Sequence, residues 1–243
     1  MKYTTGTAGI LFITIFLIGF SDSMRAQKQP GDGYLASVKE ELEKKWPDNR
    51  TINLVFHGHS VPSGYYTGGV VHRLDSYPFM AMESIKEQYP YAVINTITTS
   101  IGGEHSEQGA ARFASEVLPH QPDVLFIDYA LNDRAIGLSR AKKAWQKMIK
   151  LALQKDIKVI MLTPTPDTNV PILKEGNILE KHSEQIRNLA DKYQVGLVES
   201  HKAFKRLVQS GENLDDYMAQ ANHPNRSGHA IVAKLISEFF EDE

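Results

Sequence analysis

Four separated segments of this chain hold residue types that could act together on a carbonyl. Gly58-His59-Ser60 follows the apolar run Ile52–Phe56 and sets a hydroxyl beside a glycine that permits a tight turn. Serine is a weak nucleophile unless a base takes its proton and donors receive the oxyanion that forms. A base is available in Asn222-His223-Pro224, where the proline holds His223 extended before the last amphipathic stretch. Donors are available in the main chain of Gly102-Gly103 and in the side chain of Asn132. Each segment also has a plainer reading. A serine after a strand often caps a helix, Gly-Gly and Asn-Asp are common turn pairs, and a histidine in a capping loop is often only surface.

Those segments need a scaffold that brings them to one edge. Five short apolar runs read as strands: Ile52–Phe56, Ala92–Thr96, Asp123–Ile127, Lys158–Leu162 and Val195–Val198. Most are β-branched and apolar on both faces, as strands of a parallel sheet covered on two sides must be. Helical periodicity fills the intervals, over Tyr34–Lys45, Tyr77–Gln88, Glu107–Leu118, Arg140–Gln154, Ile178–Tyr193, Ala203–Val208 and Gly228–Phe240. This rhythm predicts an α/β fold, a three-layer α/β/α sandwich around a parallel, flavodoxin-like sheet of about five strands. Ligands of such sheets bind outside the carboxyl ends of the strands, and Ser60, Gly103 and Asn132 all follow strands.

Composition narrows the alternatives. Lys+Arg number 27 against Asp+Glu 29 in 243 residues, with 42% hydrophobic and 23% charged, so the chain is globular and has no polycationic footprint for nucleic acid. Zero cysteines exclude disulfides, thiolate metal sites and a cysteine nucleophile. The apolar run Gly9–Phe20, preceded by Lys2 and followed by Ser21-Asp22-Ser23, is short of the roughly 20 residues of a membrane span. Residues 1–26 therefore read as a signal peptide with cleavage after Ala26, implying a secreted or periplasmic protein without a membrane span in its mature form, or an anchored one if uncleaved. Residues 27–50 then form a tether and first helix, and 51–243 a single domain.

Taken in order, Gly-x-Ser, Gly, Asn and His-Pro resemble the SGNH (GDSL-like) hydrolase superfamily. Gly109-Ala110-Ala111-Arg112-Phe113 fits its pattern after the second block, and His223-Pro224-Asn225 with Gly228-His229 fits its ending. The resemblance implies that Ser60 is the nucleophile and His223 its base, with an oxyanion hole from the N–H groups of Ser60 and Gly103 and the Asn132 side chain. It implies no cofactor and no metal. It also implies a small-molecule or polysaccharide ester as partner, with carbohydrate O-acetyl groups the expected substrate. Lysophospholipase or thioesterase activity, acyl transfer to a sugar, and a degenerate glycan-binding domain are the alternatives. Tyr65, Tyr66 and His72 follow Ser60 and are candidates for a sugar-binding rim, with Thr163–Asp167 as another rim.

The sequence departs from the family at His59, where an aspartate is usual, and at Ala130, where a glycine is usual. Most seriously, Gln220 stands three residues before His223 in the place of the triad acid. Asp215, Asp216, Glu199 and Asp167 are the candidate substitutes, a backbone carbonyl is another, and a Ser–His dyad is the remaining option.

Overall fold

The computed structural model describes residues 33–241. The apolar leader and nearly all of the tether lie outside the described residues. Fifteen helices and strands follow in order: α1 (Ala36–Glu43), β1 (Thr51–Gly58), α2 (Ser60–Ser63), α3 (Tyr77–Gln88), β2 (Val93–Thr98), α4 (Ser106–Glu116), β3 (Val124–Asp128), α5 (Gly137–Leu153), β4 (Lys158–Leu162), α6 (Ile178–Tyr193), β5 (Gly196–Val198), α7 (Ser200–Gln209), β6 (Met218–Gln220), β7 (His223–Pro224) and α8 (Arg226–Ser237). The main sheet is parallel throughout, in the order β2-β1-β3-β4-β5, the flavodoxin-like arrangement expected from the sequence.

Alternation along the strands divides the core in two. Ile52, Leu54 and Phe56 of β1 pack with Val38 of α1, Ala81 and Ile85 of α3, Phe204 of α7 and Val232 and Ile236 of α8. Val55 faces the other way, with Phe113 of α4, Trp145 and Met148 of α5 and Ile186 and Leu189 of α6. Both faces of the inner strands are sealed, which is why their sequences are apolar at successive positions rather than at alternate ones, while the edge strand β2 stays partly exposed. The reversal of strand order falls between β1 and its neighbours β2 and β3, so the loops after these three strands open at one crevice.

Three elements run as the sequence predicts, residue for residue: α3, β4 and α6. Two were not foreseen. A single helical turn, α2, begins at Ser60, and a small antiparallel hairpin, β6–β7, carries His223. The helix expected at Ala203–Val208 starts earlier, at Ser200, and the one expected from Gly228 begins at Arg226, where the Asn225 side chain accepts Gly228 N–H at 3.1 Å.

Candidate active site

The end of β1 turns because Gly58 has no side chain. A Cβ there would lie 2.5 Å from the carbonyl oxygen of Asp128 on β3 and 2.9 Å from the ring of Pro62. The chain bends into α2, whose N-cap is His59: its Nδ1 accepts the Val61 N–H at 3.2 Å. Ser60 is the first residue of that turn, and its N–H has no acceptor among the described residues, as expected at a helix start. Gly64, at φ 83°, closes the turn.

His59 is fully buried, with Nε2 at 3.4 Å from Asp128 Oδ1. Because Nδ1 is an acceptor, Nε2 bears the ring hydrogen, yet neither Nε2 nor Asp128 Oδ1 makes a hydrogen bond among the described residues. Tyr77 OH donates to the other oxygen, Oδ2, at 3.0 Å. His59 thus lies near a buried carboxylate on the neighbouring strand, directly beneath the turn that begins at Ser60.

The loop after β2 extends the ladder to β1, with Thr99 N–H on Phe56 O (3.0 Å) and Ile101 N–H on Gly58 O (3.1 Å). Gly102 lies against Tyr65: a Cβ there would approach the phenol carbon to 3.0 Å. Gly103 adopts φ 79°, and its N–H has no acceptor among the described residues. The next residue is clamped. Asn132 Nδ2 donates to Glu104 O at 2.8 Å, which uses one amide hydrogen and leaves the second. The Glu104 carboxylate takes a fork from Arg112 (Nε–Oε1 2.9 Å, Nη2–Oε2 2.6 Å) and the Tyr129 hydroxyl at 3.1 Å.

His57 completes this network from below. Burial, reinforced by the Arg112 charge, pushes its pKa down to about 3, so the ring is neutral. It meets Thr99 Oγ1 at 2.9 Å and Gly109 O at 3.2 Å. Sequence reasoning used Arg112 only to set a register and passed over Glu104, Tyr129 and His57 as functional supports. The usable signal was an arginine on the apolar side of α4, eight residues after an acid in the loop.

His223 approaches from the hairpin. Its Nε2 lies 2.8 Å from Ser60 Oγ, and each of the two residues is only 8% exposed. Burial lowers the imidazole pKa, and His59 adds to that. Three bonds hold the hairpin: Asn225 N–H on Tyr217 O (3.0 Å), Thr67 Oγ1 on Ala219 O (2.5 Å) and Thr168 N–H on Ala221 O (2.7 Å). Gly228 is required here, since a Cβ would meet Pro224 at 2.8 Å and Tyr217 O more closely still. His229 is buried against α3, where Nδ1 accepts Tyr77 N–H at 3.2 Å.

The structure therefore brings Ser60 and His223 into contact, and its hydrogen bonds tie the Gly103 loop to Asn132. It does not bring the expected acids to the base. Asp215 and Asp216 are exposed on the turn before β6, and neither carboxylate bonds His223. Glu199 is forked by Arg187 at 2.6 and 3.0 Å, and Asp167 is paired with Arg134 at 2.8 Å. The neighbour of His223 Nδ1 is Gln220, at 2.5 Å across the hairpin. Of the aromatic candidates, Tyr65 sits 6.4 Å from the His223 ring, centroid to centroid, while Tyr66 lies against His72 at 4.5 Å, the rings tilted by 35°, in the loop beyond it. Exposed Val70, Val71, Leu74 and Ile101 give the surroundings an apolar surface.

The model of the GDSL-like lipase/acylhydrolase family matches residues 56–231. No curated protein matches the chain. Among solved structures, a two-domain esterase active on acetylated mannans is similar at TM-score 0.70 and 22% identity over 88% of this chain. The match covers 55% of that esterase, so this chain spans about half its length. An acetyl xylan esterase is similar at TM-score 0.65 and 21% identity, over 78% of this chain and all of its own. An acetylxylan esterase from Geobacillus stearothermophilus reaches TM-score 0.67 at 17% identity, over 79% of this chain and 95% of its own. Its catalytic variants replace a serine, an aspartate and a histidine, the aspartate three positions before the histidine.

Proposed function

Because the chain belongs to the GDSL-like lipase/acylhydrolase family, we propose that it is a serine carboxylic ester hydrolase that removes O-acetyl groups from carbohydrate. The observation that carries this reading is the 2.8 Å contact between Ser60 Oγ and His223 Nε2 at the carboxyl edge of the sheet. The Ser60 proton passes to His223 Nε2 as Oγ bonds to the ester carbonyl carbon. The carbonyl oxygen takes the negative charge and is received by the N–H groups of Ser60 and Gly103 and by the second amide hydrogen of Asn132. The imidazolium then gives its proton to the departing alcohol as the C–O bond breaks. Water repeats the sequence on the acyl-serine, releasing acid and restoring the hydroxyl.

Burial works in favour of His223 as a base. A lowered pKa keeps the ring neutral and ready to accept a proton at and below neutrality. The fixed left-handed conformation of Gly103 and the Glu104–Arg112–Tyr129 network underneath it pre-set the donors, so little reorganisation accompanies charge development.

The substrate class rests on two supports. The similar structures are esterases described as acting on acetylated mannans and acetyl xylan. Tyr65 lies beside the His223 ring with Tyr66 and His72 beyond it, and aromatic faces suit sugar C–H surfaces. Export from the cytoplasm, through the leader at residues 1–26, gives access to polysaccharide. No helix among the described residues is long and apolar enough to cross a membrane. The test is a panel of acetylated xylan and mannan oligosaccharides against long-chain acyl esters, run with wild type and Ser60→Ala. Release of acetate by wild type alone supports the reading; preference for long chains refutes the substrate, and full turnover by Ser60→Ala refutes the nucleophile.

A further inference from the structure

Resting on that reading of the site, we infer that Gln220 is the third member of the catalytic arrangement, a neutral positioning residue whose amide oxygen accepts the Nδ1 hydrogen of His223. The geometry follows from the hairpin. Gln220 of β6 and His223 of β7 are register partners across the turn Ala221-Asn222, so their side chains leave the same ladder side by side. Their contact at 2.5 Å and the His223–Ser60 contact at 2.8 Å form a continuous chain, amide to imidazole to hydroxyl.

The chemistry fixes the orientation of the amide. As placed, Gln220 turns its nitrogen to Nδ1. That arrangement makes Nδ1 an acceptor and leaves the ring hydrogen on Nε2, where it blocks uptake of the Ser60 proton. Turning the carboxamide by 180° exchanges nitrogen for oxygen without changing its shape. Oxygen then accepts Nδ1–H, Nε2 is left with a free lone pair, and Ser60 donates to it. Only this second orientation allows the base to work. The same tautomer argument explains why an amide locked in the wrong sense disables a serine hydrolase; an exposed glutamine is free to turn.

Among the described residues, no charged group duplicates the role. The titratable groups that face the imidazole are His59 on the turn beneath Ser60, Tyr65 on the following loop and His229 on α8. The loop that touches Ala221 contributes Asp167, which is already paired with Arg134. A neutral acceptor orients the ring but adds no negative charge to favour the imidazolium. The base consequently keeps the low proton affinity that burial and His59 impose.

The experiment compares wild type, Gln220→Glu and Gln220→Met in three readouts: the acid limb of kcat/KM on p-nitrophenyl acetate, the rate of Ser60 labelling by a fluorophosphonate, and the ¹⁵N signals of the His223 ring. Gln220→Glu places a carboxylate of the same length at Nδ1 and is expected to move the acid limb upward by about 1–3 pH units. Gln220→Met keeps the bulk without the acceptor and is expected to lower kcat and the labelling rate several-fold, with KM unchanged. Wild-type His223 is expected as the Nδ1–H tautomer at neutral pH. An unmoved acid limb in Gln220→Glu, or an Nε2–H tautomer in wild type, overturns the assignment of Gln220. Absence of both labelling and ester turnover in wild type instead overturns the esterase reading, and the ring signals still decide whether Gln220 holds the imidazole.

Discussion

Asn132 is asked to do two things, and truncating it separates them. One amide hydrogen holds Glu104 O at 2.8 Å, and in the proposed mechanism the other serves the oxyanion. Asn132→Ala removes both. The first loss is that of one neutral hydrogen bond in a partly buried setting, about 0.5–1.5 kcal/mol of folding stability. The second appears only as negative charge develops, and losing one such donor costs about 10²–10³ in kcat, equivalent to about 2.7–4 kcal/mol. The catalytic penalty therefore exceeds the stability penalty by at least about 1 kcal/mol. Urea unfolding gives the first figure, and steady-state hydrolysis of p-nitrophenyl acetate gives the second, with KM expected to stay within about threefold because the oxyanion contact is made in the transition state. A fall in kcat of less than tenfold, accompanied by a stability loss of the size stated, would show that Asn132 is only a strut for Glu104 and that the oxyanion hole is built otherwise.

Three further outcomes are expected. Gly109→Ala would set a methyl 2.7 Å from Tyr129 Cε2 and closer still to the phenol oxygen. It should cost about 2–5 kcal/mol by overpacking and by displacing the hydroxyl from Glu104; Gly109→Ala/Tyr129→Leu should recover part of this in urea unfolding, and an unchanged midpoint in the single variant would contradict the packing described. The acid limb of wild-type kcat/KM should fall below the ordinary histidine value of 6.5, because burial and His59 both lower the His223 pKa and the base must be neutral to act; a limb above that value would count against His223 as the base. Folding stability should decline as pH drops below 6.5, since His57 and His229 are held down to about 3, and His182 and His201 to about 4, so the unfolded chain takes up protons that the folded one refuses. Each such site adds up to about 1.4 kcal/mol per pH unit within that window, and urea titrations at pH 7 and pH 5 with equal midpoints would refute it.

The sheet was legible because a strand covered on both sides has to be apolar at every position, and few other elements combine that with such short length. Lys158–Leu162 is the clearest case. The three-residue and two-residue strands that carry Gln220 and His223 have no room for a periodic signal, so they could be read only as a loop. For the same reason Ser60 could be read as a cap, whereas the cap is His59 and Ser60 begins the turn.

Among the site residues, the order of Ser60, Gly103, Asn132 and His223 could be recovered from motif spacing. The identity of the group beside Nδ1 could not. A search for an acid by type finds Asp215, Asp216 and Glu199, because charge is visible in a sequence and pairing is not. Glu199 is already committed to Arg187, a partner twelve residues earlier on a different element. Glu104, Tyr129 and His57 escaped notice on similar grounds. Their role lies in a contact between three segments, and each alone reads as an ordinary polar residue.

The hairpin has a consequence for how this site can be altered. The Thr67 hydroxyl and the Thr168 and Asn225 N–H groups hold the hairpin that carries the imidazole, and the side chain at 220 bears only on the ring's Nδ1. With the hairpin held elsewhere, an acceptor at position 220, neutral or charged, orients the ring and sets its proton affinity. Exchanging amide for carboxylate there is expected to retune the working acidity of the hydroxyl–imidazole couple, while the loop of Tyr65 and Tyr66 is left untouched. On the proposed reading the working pH is open to redesign from the hairpin, whereas the loop of Tyr65 and Tyr66 is tied to that hairpin through the Thr67 hydroxyl on Ala219 O.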